Sequence, residues 1–83
     1  MRDEVKAEVR AYVAEQFLPG ESPDLITDTT LLVSDGIIDS LGSLRLVSWL
    51  EERFGITIQA SEVAVDHLDT LDLIADLVLS KRG

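Results

Sequence analysis

Apolar residues recur at steps of three and four at the start of the chain, at Val5, Val9, Tyr12, Val13 and Phe17, with Glu4, Lys6, Glu8, Arg10 and Glu15 mostly off that stripe. The spacing predicts an amphipathic helix from about Asp3 to Leu18. Pro19-Gly20 ends it, because proline cannot continue the hydrogen-bond ladder and glycine accepts a left-handed cap. Residues 20–38 lose the period. Pro23, Asp24, Asp28, Thr29, Thr30, Ser34 and Asp35-Gly36 form turns, yet Leu25, Ile26, Leu31, Leu32, Val33, Ile37 and Ile38 are too many apolar side chains to leave in water. A long connection pinned across the helices is expected, with a short helical turn near 24–27.

Helical periodicity returns from about Ser40 to Arg53, with Leu41, Leu44, Val47, Leu50 and Phe54 on one apolar face, Leu46 and Trp49 widening it, and Gly55 as C-cap. Ile56-Thr57-Ile58 alternates like a strand but has no equal partner segment, and reads as an extended connector. The run Ser61 to Val65 predicts one or two helical turns capped near Ala60 or Ser61 and ending around Asp66-His67. Asp69 or Thr70 then caps a last helix whose core face is Leu71, Ile74, Leu77 and Val78, beside Leu68 and Leu73. Lys81-Arg82 follow its end, as the helix dipole prefers. The fold class is therefore all-α: a small four-helix bundle of three main helices and one short one, with a long loop between the first and second. Residues 1–83 are expected to form a single domain.

Charge narrows the partners. Sixteen acids against seven bases give a net charge of −9, which argues against nucleic acid and anionic membranes and favours basic proteins. Residues 21–40 hold five acids and no base, so the segment leading to Ser40 is the most acidic in the chain. There is no cysteine, which excludes disulfides, thiolate metal sites and a thioester on the chain's own thiol. No apolar run reaches the roughly 20 residues that span a bilayer, and the N-terminus does not read as a signal peptide. A monomeric, cytoplasmic protein without membrane insertion is expected.

The candidate chemistry centres on Asp35-Gly36-Ile37-Ile38-Asp39-Ser40-Leu41-Gly42. Asp39 suits a helix N-cap, which puts Ser40 in an outward-facing first turn. A serine hydrolase would need a base and an orienting acid. The only histidine is His67, and isoleucine stands where a nucleophile elbow has its first glycine. Asp24, Asp28, Asp35 and Asp39 lack the spacing of a calcium loop. Covalent attachment at Ser40 fits more of the chain: an exposed serine could display a prosthetic thiol that the chain itself lacks. Gly42 costs about 1 kcal/mol of helix propensity. It is either clearance for a partner or substituent on Ser40, or tolerated weakness in a frayed first turn.

Asp39-Ser40-Leu41, the preceding Asp35-Gly36-Ile37-Ile38, the run Leu44 to Ile56 with its Glu51-Glu52-Arg53-Phe54-Gly55-Ile56 close, and Thr70-Leu71 resemble the signature of acyl and peptidyl carrier proteins over nearly the whole chain. The resemblance implies that a phosphopantetheinyl transferase moves 4′-phosphopantetheine from coenzyme A to Ser40. The arm's thiol would then carry acyl or aminoacyl groups as thioesters, in a protein that is not itself an enzyme. It also implies a loading ligase and downstream acyltransferase or synthase partners, with Asp39 and Leu41 contacting them and Leu44 and Ser48 on the exposed side of the second helix. Residues 41–60 are net neutral and Arg45 follows Ser40 by a turn, unlike the strongly acidic second helix of fatty-acid carriers. The Asp39-Ser40-Leu41-Gly42-Ser43 run is similar instead to stand-alone aminoacyl carriers, D-alanyl carriers among them. Docking is expected to lean on Leu41 and loop acids such as Asp35. The competing expectation is an unmodified acidic helical domain that only binds partner proteins.

Overall fold

The computed structural model describes residues 2–82, and all its regular structure is helical. Helix α1 spans Arg2–Phe17, α2 Ser40–Phe54, α3 Val65–Leu68 and α4 Leu71–Arg82, with single 3-10 turns at Pro23–Leu25 and Ala60–Glu62. Helix α1 packs along α4, which also receives α3 and α2. Val5, Val9 and Val13 meet Leu71, Ile74 and Val78 in one buried cluster with Leu46 and Leu50 of α2. Each such aliphatic side chain contributes about 1.5–3 kcal/mol when fully buried.

The long connection is pinned, as its apolar content requires. Ile26, Leu32 and Ile38 are wholly buried, while Leu25 and Leu31 face solvent. Alternate members of the apolar set thus anchor the loop. Polar contacts hold it at two further places. Asp28 pairs with Lys6 and Arg10 of α1, and Arg10 Nε donates to the Ile26 carbonyl at 2.8 Å. Farther along, the Leu32 N–H donates to the Asp69 carbonyl at 2.6 Å. The Asp69 carboxylate accepts the N–H groups of Val33 and Ser34 and the Ser34 hydroxyl, at 3.0, 2.9 and 2.7 Å.

One stated alternative is decided and two local expectations are corrected. Asp69 does not cap α4, because its carboxylate is committed to the loop; Thr70 Oγ1 takes the cap, accepting the Leu73 N–H at 3.1 Å. The short helix lies later than Ser61 to Val65. A 3-10 turn closes first, with Glu62 accepting the Gln59 N–H, and α3 begins after the extended Ala64 so that Leu68 can enter the core. The core face of α2 is Gly42, Ser43, Leu46, Val47 and Leu50, whereas Leu41 and Leu44 are 73% and 55% exposed. A helix can turn only one stripe inward, and Leu46 and Leu50, one turn apart, occupy it. Its far end closes as expected, with Gly55 left-handed at φ 65° and its N–H on the Glu51 carbonyl. Ile56 and Ile58 then point inward on either side of exposed Thr57.

Replacing Asp69 with alanine removes the acceptor for three donors and is expected to cost about 2–4 kcal/mol, read as a lowered urea midpoint. The Ser34 hydroxyl, then the Ser34 and Val33 backbone N–H groups, hold the Asp69 carboxyl below its usual range against the opposing effect of burial. The unfolded chain therefore takes up this proton first on acidification. The stabilisation is complete above the unfolded carboxylate value of about 4 and is lost as pH falls through the lower folded value. The gap between wild type and Asp69→Ala should narrow in acid; a gap constant down to pH 2 would contradict the assignment.

Candidate functional site

The start of α2 is built from the loop inward. The Ile38 side chain is fully buried and its N–H donates to the Leu32 carbonyl at 2.8 Å, so the chain reaches Asp39 from a fixed point. Asp39 is extended, with φ −87° and ψ −173°, and caps the helix as its side-chain chemistry predicts. Its Oδ1 accepts the Gly42 N–H at 2.6 Å and its carbonyl accepts the Ser43 N–H at 2.8 Å. Ser40 is the first helical residue and is exposed.

Gly42 serves the interior. A Cβ there would lie 2.6 Å from Phe17 Cε1, 3.0 Å from Asp39 Oδ1 and 3.2 Å from Ile38 Cγ2. Its missing side chain lets the first turn of α2 settle on the end of α1, which replaces the expectation of clearance for a group on Ser40.

Beside Ser40 lies a cleft of about 580 Å³, walled on one side by the loop and α2 and on the other by the segment through α3. Val33, Ile38, Leu44, Val63, Val65 and Leu68 give it an apolar lining, and Asp39 is its sole charged lining residue among the described residues. Leu44 also lines a second groove of about 440 Å³ with Tyr12, Arg45, Ser48, Trp49 and Glu52.

The expected site residues therefore divide. Ser40, Asp39 and Leu44 share the first cleft, Leu44 and Ser48 share the second groove, Leu41 points into solvent, and Asp35 stands exposed in the turn before α2. Arg45 is drawn toward α1, with Nη2 2.9 Å from Gln16 Oε1 and its guanidinium 5.7 Å from the Phe17 ring centre. Ser43, Val63, Val65 and Leu68 were not anticipated as cleft residues. Spacing could have found Ser43, which follows Ser40 by three and so shares its face; the others come from a segment far along the chain.

A helical bundle that presents an exposed serine at a capped helix start, beside an apolar cleft, is the architecture of a carrier domain. Residues 7–78 match the family model described as phosphopantetheine attachment site, and the chain belongs to that family. It is similar to the D-alanyl carrier protein of Streptococcus sanguinis (strain SK36), 33% identical over 80 residues that cover 96% of this chain and 98% of that protein. A D-alanyl carrier protein 1 from Lactiplantibacillus plantarum is 35% identical over 68 residues, 82% of this chain and 81% of that one. The solved structure described as "Structure of KstB-PCP(apo)" superposes with a TM-score of 0.76 at 26% identity, covering 100% of this chain and 91% of that one.

The family membership makes this a carrier protein with covalently attached 4′-phosphopantetheine as its cofactor. Carriers of this kind are in general not catalysts, and they meet a phosphopantetheinyl transferase and loading enzymes. No helix among the described residues is long and apolar enough to cross a membrane.

Gly42→Ala tests the close approach. Helix propensity alone favours alanine by about 1 kcal/mol, but overpacking against Phe17 costs about 1–3 kcal/mol, so the net expectation in denaturation is destabilisation. In a Phe17→Ala background the same substitution should lose most of its penalty. A stabilising Gly42→Ala would refute the packing role.

Proposed function

We propose that Ser40 bears the phosphopantetheine and that the chain carries aminoacyl groups, D-alanyl among them, between a loading ligase and an acceptor enzyme without catalysing either step. The observation that carries this is the exposed Ser40 hydroxyl at the capped start of α2, opening beside the 580 Å³ cleft. The donor set suits the group. A phosphodiester on Ser40 is an anion at a helix N-terminus, where backbone N–H groups and the dipole favour negative charge, offsetting repulsion from Asp39. When bound, the arm supplies the thiol that this cysteine-free chain lacks. The likeness to D-alanyl carrier proteins supports the cargo, and a cytoplasmic setting follows from the need for coenzyme A.

The chain's own residues do the positioning. Asp39 fixes the first turn, so the Ser40 hydroxyl is presented outward to the transferase. Leu41, Leu44 and Val65 expose apolar surface near the cleft, a contact for a partner that excludes water on docking. Asp35 is exposed for basic partner side chains. Glu51 is not equivalent to it, because its carboxylate accepts the Ile58 N–H at 2.9 Å and holds the connector after α2.

Incubation with coenzyme A, magnesium and a broad-specificity transferase should add one phosphopantetheine by intact mass, and Ser40→Ala should add none. Modification of the alanine variant would overturn the assignment of Ser40, and no gain with several transferases would favour an unmodified binding domain. The holo protein should then take D-alanine as a thioester from a D-alanine-activating ligase and ATP.

Asp35→Lys should slow transferase loading several-fold more than Glu52→Lys, measured as kcat/KM. Both substitutions change charge by the same amount, and neither side chain makes a hydrogen bond or ion pair among the described residues. Equal slowing would show that docking does not depend on the loop.

A further inference from the structure

Ser43 is 8% exposed, and it lines the cleft three residues beyond Ser40, about 4.5 Å along the axis. Its hydroxyl has no hydrogen-bond partner among the described residues, although no side-chain N or O atom there that is fully enclosed lacks one. The Ser43 oxygen is therefore accessible, on a residue that lines the cleft. The surrounding wall is mostly apolar, with Ile38, Leu44, Val63 and Leu68, so Ser43 is one of only three polar side chains, with Asp39 and Ser40, that line this space among the described residues. That hydroxyl lies beside the space a group on Ser40 enters first.

Resting on the assignment of Ser40, we propose that Ser43 is a positioning residue for the arm: its hydroxyl hydrogen-bonds the pantoyl oxygens that follow the phosphate, laying that segment along the cleft. The chemistry on both sides matches. The pantoyl segment carries a gem-dimethyl group, which packs against Leu68 and Val65, and a hydroxyl and an amide carbonyl, which need a polar partner. Leu68 is buried behind the cleft and Val65 is at its mouth, so the apolar wall lies opposite the Ser43 hydroxyl's own helix. Holding the first segment sets the direction in which the rest of the arm leaves the protein.

The test compares amide spectra of nitrogen-15-labelled apo and holo protein, the holo form made with coenzyme A and a transferase and checked by mass. Conversion should shift the amides of Val63, Val65 and Leu68. Ser43→Ala should still gain the arm but lose at least half of those shifts, while Ser43→Thr keeps them. Shifts confined to residues 39–42 in wild type, or unchanged in Ser43→Ala, overturn the proposal. If the alanine variant does not fold, nuclear Overhauser contacts between arm methyl protons and Leu68 methyls in wild-type holo protein decide. Their presence is expected, and their absence overturns the proposal. A failure to gain the arm at all counts against Ser40 instead, so the two readings fail separately.

Discussion

The position of Ser40 depends on an aspartate in the turn before α4. Asp69 offers its carbonyl to Leu32 and its carboxylate to Val33 and Ser34, and Leu32 in turn receives the N–H of Ile38, the last residue before the cap. The order runs from Asp69 to Leu32, Ile38, Asp39 and Ser40. Each step is a hydrogen bond to a backbone group or a covalent neighbour, so little torsional freedom remains between the bundle and the hydroxyl. A loop of this length would otherwise sample many conformations, and ordering it costs about 1–2 kcal/mol per residue in backbone entropy. Buried Ile26, Leu32 and Ile38 offset that cost.

The acidity of the chain does two separate jobs. Asp28, Asp72 and Asp76 meet Arg2, Lys6 and Arg10 in a network joining α1 to the loop and α4. Hydrogen bonding to Asp28 and then Asp72 raises the Lys6 pKa, while bonding to Lys6 lowers that of Asp72, the two shifts expected of one shared network. Such pairs at partly exposed positions contribute modestly each, and their geometry matters more than their number. The consequence is directional. Cations of α1 are turned toward acids of the bundle, whereas Asp35 and Asp39 beside Ser40 stay exposed with no ion pair among the described residues. The acids nearest Ser40 are therefore left free for basic partner groups, while Arg45, one turn on, is drawn aside toward Gln16.

What was legible in the sequence was local. The Asp39 cap, the Gly55 cap and the connector at Ile56-Thr57-Ile58 follow from chemistry within one turn or from strict alternation, and all stand in the structure. The inward face of α2 was misread because Leu41 and Leu44 are apolar by type yet are spent on the surface, the kind of local violation that marks a working site. Asp69 stayed one of two candidate caps for a different reason. As a cap it satisfies a short-range rule that Thr70 satisfies equally well, and only the folded loop decides between them. Gly42 likewise has a meaning set by Phe17 on another helix, which no reading of its neighbours supplies. The far wall of the cleft was out of reach for the same reason: Val63, Val65 and Leu68 meet Ser40 only through tertiary packing.

Between α1 and α2, Tyr12 and Trp49 lie face to face with ring centres 4.3 Å apart and planes 12° from parallel, while Phe54 meets Trp49 edge-on at 5.9 Å. Trp49 is the only tryptophan in the chain. The seam between the two helices thus contains its own optical gauge. Indole emission excited at the red edge arises from this one ring, and stacking on a phenol makes it sensitive to any parting of α1 from α2. Changes at the helix that begins with Ser40 can accordingly be followed in real time in the unlabelled protein.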